Sequence, residues 1–179
     1  MKTKITTGMV AILLLAIMLT MTAFYISPVE APSAIISYAP IELNADTTLQ
    51  SDYKFIGCDG FIMSTVDFLI LDLNGHKVIG DGTGYKNGIT VDGSALTDIS
   101  QDRLCIKNGE IEGFWSAIYI TDYGGGDKFA TVENIKTKGT AIVNLYNSWV
   151  RIYDCNFQAR LLSAQCWLLM WNTKWGQGI

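Results

Sequence analysis

The chain has 179 residues, a formal net charge of −4 at pH 7 and a sequence pI near 4.9. Hydrophobic residues make up 49% and charged residues 17%, which is too apolar for a disordered chain and too interrupted for a polytopic membrane protein. An acidic balance with no basic run argues against nucleic-acid binding, and a single histidine, His76, leaves little material for His-based metal clusters or imidazole dyads.

Lys2 and Lys4 precede an almost unbroken apolar run from Met9 to Tyr25, and Ser27, Pro28, Ala31, Pro32, Ser33 and Ala34 follow. A positive start, an apolar run and a small-residue exit predict a secretory signal over residues 1–34, cleaved after Ala31 or Ala34. The run is also long enough to stay as a single anchor helix. Either outcome makes the expected location extracytoplasmic, secreted or at the cell surface. Such a setting permits disulfides among Cys58, Cys105, Cys155 and Cys166. No pair has CxxC spacing, and Cys58 and Cys155 read as small buried hydrophobes.

From residue 35 to 159 the chain repeats. LDLNGHKVIG (71–80), LCIKNGEIEG (104–113), ATVENIKTKG (130–139) and VRIYDCNFQA (150–159) align on their apolar alternation. Leu71, Leu104, Ala130 and Val150 fill one column, and Leu73, Ile106, Val132 and Ile152 fill the column two further on. Mostly polar residues stand between them, which is the period of a strand with one buried face. Gly75, Asn108, Asn134 and Asp154 follow, residues that tolerate a left-handed backbone, so each strand is expected to bend there. A second short strand holds Val78, Ile111, Thr137 and Phe157 in one column, and a third set recurs at 61–63, 89–91, 118–120 and 142–145.

Strands separated by bends cannot all be hairpins of one sheet. Coiling lets each pair with its equivalent one turn later. The predicted fold is therefore all-β: a single-stranded right-handed parallel β-helix, a solenoid of about four coils, after an N-terminal signal or anchor helix. Polar, glycine-rich insertions are expected after Gly80, Gly93 and Thr121, and an incomplete first coil over Ile41 to Phe55. Residues 160–179 hold Leu161, Trp167, Leu168, Leu169, Met170, Trp171 and Trp175 without a β period. They read as a C-terminal tail or cap, or as the start of a solenoid cut short or frame-shifted.

ADTTLQSD (45–52), FIMSTVDFLILDLNGHKVIGDG (61–82), NGITVDG (87–93) and LCIKNGEIEGF (104–114) resemble the right-handed parallel β-helix repeat family of the pectate-lyase-like superfamily, its exported members in particular. The likeness covers roughly residues 41–157. It implies the fold, and it implies contact with carbohydrate. Members include polysaccharide lyases and hydrolases, epimerases, surface and cell-wall proteins, and periplasmic accessory proteins of copper-enzyme maturation, so no single activity follows.

Lyases of this superfamily use calcium-holding carboxylates and an arginine base on one sheet. Arg151 shares its outward column with Thr131, Cys105 and Asp72, without clustered carboxylates, and reads as a solvated residue. Inverting hydrolases use acidic pairs on neighbouring coils, but Glu110 and Glu133 fall in different columns and Asp154 occupies the bend column. His76 reads as a structural turn residue. Asp81-Gly82-Thr83-Gly84 and the stretch from Asp122 to Asp127 could offer oxygens to calcium, yet turn chemistry explains both. No catalytic residue, no metal site and no cofactor is therefore expected.

Aromatic rings stack on the C–H faces of sugars, and Tyr85, Trp115, Tyr119 and Tyr123 lie in or beside loops and outward positions. These four are the expected ligand-binding residues, against the alternative that Trp115 and Tyr119 pack under long loops. The reading is an exported or cell-surface module, a monomer with a non-catalytic polysaccharide-binding or structural role. It binds no nucleic acid and meets a membrane only through an uncleaved N-terminal segment. Two alternatives stand beside it: a polysaccharide lyase or glycoside hydrolase represented by its N-terminal coils, and an extracytoplasmic accessory of copper-enzyme maturation.

Overall fold

A computed structural model of the protein describes residues 33–63, 69–93, 104–123, 129–138, 142–158 and 160–176. The signal or anchor expected in the first 32 residues, the insertion after Gly93 and most of the glycine-rich loop after Tyr123 lie outside them. The described residues contain no helix. Seventeen strands succeed one another: β1 (Ile35–Ser37), β2 (Ile41–Glu42), β3 (Thr47–Thr48), β4 (Tyr53–Phe55), β5 (Phe61–Met63), β6 (Ile70–Asp72), β7 (Lys77–Ile79) and β8 (Asn87–Asp92) in the first half. There follow β9 (Cys105–Glu112), β10 (Ser116–Thr121), β11 (Ala130–Lys138), β12 (Ile142–Tyr146), β13 (Trp149–Tyr153), β14 (Asn156–Phe157), β15 (Leu161–Ala164), β16 (Trp167–Trp171) and β17 (Lys174–Trp175).

Every pairing between them is parallel. Two sheets result. One has six strands in the order β15-β12-β10-β8-β5-β2, and the other has eleven, with β1-β4-β7-β9-β11-β13-β16 as its spine. Each strand meets its equivalent on the next rung, so the fold is a solenoid-like stack of parallel strands.

Period-2 alternation sets the core. Ile106, Val132 and Ile152 stand in register and are fully buried, while Lys107, Glu133 and Tyr153 beside them face outward. Burying one such side chain contributes roughly 1.5–3 kcal/mol, and the ladder repeats that gain at each rung. A second inward row runs Tyr53, Val78, Ile111, Thr137, Phe157 and Trp175. In the smaller sheet Phe61, Ile89, Ile118 and Val143 line up as the third strand set predicts, and Leu161 extends the row beyond it.

The first column differs. Leu71, not Leu73, stands opposite Ile106, and the register changes before Val78 meets Ile111. Leu73, Asn74, Gly75 and His76 form a four-residue corner over the two-residue corner Asn108-Gly109. Gly109 makes this possible, because a Cβ there would collide with the Leu73 side chain and lie 2.6 Å from the His76 carbonyl oxygen.

Corners take left-handed backbone, as the Asn and Asp residues suggest. Asn108, Asn134, Asp154 and Asn172 have φ of 59°, 49°, 51° and 45°. A second corner column, which the alignment does not single out, holds Asp122, Asn147 and Gln165 at 53°, 45° and 56°.

Residues 160–176, read either as a tail or cap or as part of a longer solenoid cut short or frame-shifted, hold three strands. Strands β15, β16 and β17 pair in register with β12, β13 and β14. The β period is hidden because Trp167, Leu169 and Trp171 are as apolar as Leu168 and Met170, which stand in register with the buried Val150 and Ile152, and Met170 itself is exposed.

Candidate functional site

The outer side of the larger sheet carries two rows of alternating charge. Asp72, Lys107 and Glu133 follow one another across rungs, and so do Lys77, Glu110 and Lys136. Lys107 Nζ lies 3.5 Å from Asp72 Oδ2, and Lys77 Nζ 3.5 Å from Glu110 Oε2. Burial draws the Asp72 carboxyl upward, but the Asn74 amide, the Asn108 carboxamide and Lys107 together hold it below the ordinary carboxylate range. Glu110 and Glu133 lie in different rows, as their columns predict.

Between the two rows runs a ladder of corner side chains. Asn134 Nδ2 donates to Asn108 Oδ1 at 3.1 Å, and Asn108 Nδ2 donates to Asp72 Oδ1 at 3.1 Å. The ladder floors an open cleft of about 310 Å³, whose walls include Asn74, Glu110 and Lys136. Carboxamides, one carboxylate and one ammonium give it donors and acceptors of both signs, the complement of a hydroxyl-rich molecule. Sequence reasoning assigned these asparagines to bends and did not see the cleft. The recurring Asn at one column flanked by alternating Lys and Glu was the available signal.

His76 sits at the same corner. Its Nδ1 is 3.2 Å from Asp52 Oδ1, which also accepts from the Lys77 amide at 3.0 Å. Asp81 is engaged by its own turn: Oδ1 accepts from the Thr83 amide and hydroxyl at 2.9 and 2.7 Å, and Oδ2 from the Gly57 amide at 2.7 Å. Asp122 accepts from Asn147 Nδ2 at 2.7 Å and from the Thr121 hydroxyl at 2.8 Å. Cys58, Cys105, Cys155 and Cys166 are free thiols. Burial, with Glu133 and Asp72 against Lys107, pushes the Cys105 thiol up to about 11, and burial also raises Cys155 to about 11. Neither is a ready nucleophile at neutral pH.

Of the four expected ligand-binding aromatics, two meet. Tyr85 is 82% exposed and Trp115 36%, and their rings make an edge-to-face contact with centroids 5.4 Å apart. Tyr85 precedes β8 and Trp115 precedes β10, and these strands pair, with Asn87 opposite Ser116. Tyr119 lies half-buried on the outer side of β10, four residues or about 13 Å of strand beyond Trp115. It shares a row with Thr90.

Tyr123 is the correction. It is fully buried, part of the core rather than of a binding surface. The left-handed Asp122 before it turns the chain inward, and Gly93 on the preceding rung leaves room, since a Cβ there would lie 2.7 Å from Tyr123 Cα. The Tyr123 amide donates to Ser148 Oγ at 3.2 Å, and its carbonyl accepts from the Trp149 amide at 2.7 Å. A ring held this way cannot stack on an external ligand.

No protein-family model, curated protein or solved structure matches the chain. The geometry of the rows, the cleft and the aromatic pair therefore carries the functional reading alone.

Further along the same sheet the outer rows turn aromatic. Trp149 stacks on Trp167 at 5.2 Å, Tyr153 on Trp171 at 4.9 Å, and the Arg151 guanidinium lies 4.2 Å above the Phe129 ring. Sequence reasoning found no β period around Trp167 and Trp171, left a cap and a cut-short solenoid both open, and so missed this surface.

Proposed function

We propose that the protein is an extracytoplasmic, right-handed parallel β-helix that binds an extended polysaccharide without turning it over. The usual chirality of parallel crossovers supports the hand, and the six-stranded sheet supports more coils than the four read from the sequence. A place among the pectate-lyase-like proteins is part of the same proposal and rests on the motifs quoted above.

The observation that carries the binding reading is the exposed Tyr85–Trp115 pair, two rings held against each other at a loop mouth where a sugar can stack. Interleaved lysines support the non-catalytic part. A general acid needs a raised pKa, whereas Asp72 is held low and Glu110 stands opposite Lys77.

A glycan array followed by titration of the purified protein tests this, with release of reducing ends measured in parallel. Binding is expected without release, and Tyr85→Ala and Trp115→Ala should each weaken it about fivefold, on the order of 1 kcal/mol. Affinity that ignores both rings but falls with Glu110→Gln or Lys136→Ala would move the site to the asparagine-floored cleft. Cleavage abolished by one Asp or Glu substitution would replace the binding module with an enzyme.

A further inference from the structure

The outer face of the larger sheet changes character along the stack. One row begins as Asp72, Lys107 and Glu133 and continues as Tyr153 and Trp171. Beside it, Arg151 stands opposite Leu169 and Trp149 opposite Trp167. On β16 the outward side chains are thus Trp167, Leu169 and Trp171, exposed by 65%, 40% and 49%. Stacking on Trp149 and Tyr153 holds the two indoles outward instead of letting them fold back.

Charge follows the same division. The whole chain is acidic, yet beyond Asp154 it carries Arg160 and Lys174 and no Asp or Glu. Both cations are exposed. On this side Asp154 accepts from Asn172 Nδ2 at 2.6 Å, and Glu133 stands opposite Lys107 one rung back.

A Trp-Leu-Trp strip with Arg151 opposite its leucine and Lys174 on the next strand of the same sheet has two candidate occupants, a sugar chain and a lipid surface. A sugar face needs polar groups beside the rings to meet its hydroxyls, and here the residue between the indoles is an exposed leucine. Indoles and tyrosines favour the boundary between acyl chains and headgroups, leucine favours the acyl side, and basic residues favour anionic headgroups. We propose that the Trp167–Leu169–Trp171 strip, with Arg151 and Lys174 on the same sheet, is a docking surface for an anionic lipid bilayer, and that the ionic half of the same face stays in water.

Tryptophan quenching by brominated phosphatidylcholine tests this on the full chain. The apolar run from Met9 to Tyr25 holds no tryptophan, so the signal does not report how that segment meets lipid. Vesicles containing phosphatidylglycerol should quench the wild type. W167A/W171A should lose at least two thirds of that quenching, and W115A should keep nearly all of it. R151E/K174E should need at least tenfold more anionic vesicle for half-quenching, with little change on pure phosphatidylcholine. L169E keeps both indoles and should still be released, which covers the case of a misfolded double variant. Quenching absent from the wild type, or equal in wild type and L169E, overturns the proposal. So does shielding of Trp167 and Trp171 from acrylamide by a soluble polysaccharide without vesicles, which would give the strip to a glycan.

Discussion

Asn134 donates its side-chain amide to Asn108 Oδ1 across 3.1 Å, although 26 residues of chain separate the two. Asn108 passes the pattern on to Asp72. Each side chain ties one corner to the next, and each of the two asparagines also supplies a left-handed backbone.

Asn108→Ala should therefore be penalised twice, by loss of both side-chain hydrogen bonds and by placing alanine at φ 59°, a backbone that asparagine tolerates better. We expect a loss of about 2–3 kcal/mol in urea denaturation. Asn108→Gly loses the same bonds but accepts the backbone, and should cost roughly 1 kcal/mol less. If alanine were tolerated as well as glycine, the corner geometry would be wrong.

Ile106→Asp places a charge between Leu71 and Val132 in a fully buried row, and should cost more than about 4 kcal/mol or abolish folding. At the next position, Lys107→Ser should lose about 1 kcal/mol or less, since the lysine faces outward. Circular dichroism melts of the two variants check the register directly.

The stability of the domain should fall on the acid side. Asp72, Asp81 and Asp122 all titrate below the ordinary 3.8 in the folded chain. Near that pH the unfolded chain then binds more protons than the folded one, so stability rises with pH. The contribution is complete above 3.8 and disappears as pH falls through the lower folded values. Asp72→Asn should flatten this slope in melts taken from pH 5 downward, and an unchanged slope would remove Asp72 from the account.

Thr137 is buried between Ile111 and Phe157, and its hydroxyl has no hydrogen-bond partner among the described residues. Thr137→Val removes the desolvated hydroxyl at little change in shape. A gain of about 1 kcal/mol is expected in chemical denaturation.

Much of this fold was legible before any coordinates. The third strand set could be read because Phe61, Ile89 and Ile118 recur at steps of 28 and 29 residues and carry no insertion inside the strand. The first column slipped by two residues for a physical reason. Leu71 and Leu73 are both buried, one in the strand and one in the enlarged corner, so an apolar pattern fits either register. Strand β16 escaped because the alternation was read as apolar against polar, and the outward residues of this strand are Trp-Leu-Trp. Tyr123 could not be told from Tyr85 by spacing. Both follow glycine-rich or turn-forming residues, and only the space left at Gly93 and the Ser148 contact turn one of them inward.

The four-residue corner at Leu73–His76 lies directly over a two-residue corner, and the strands on both sides of it keep their pairing. Two extra residues have been absorbed at one vertex without moving Leu71 from Ile106 or Val78 from Ile111. Length variation in this architecture is therefore a local property. A foreign loop grafted at that vertex would be displayed on a frame whose rungs do not register its presence, which makes the corner a natural port for inserting peptide sequence.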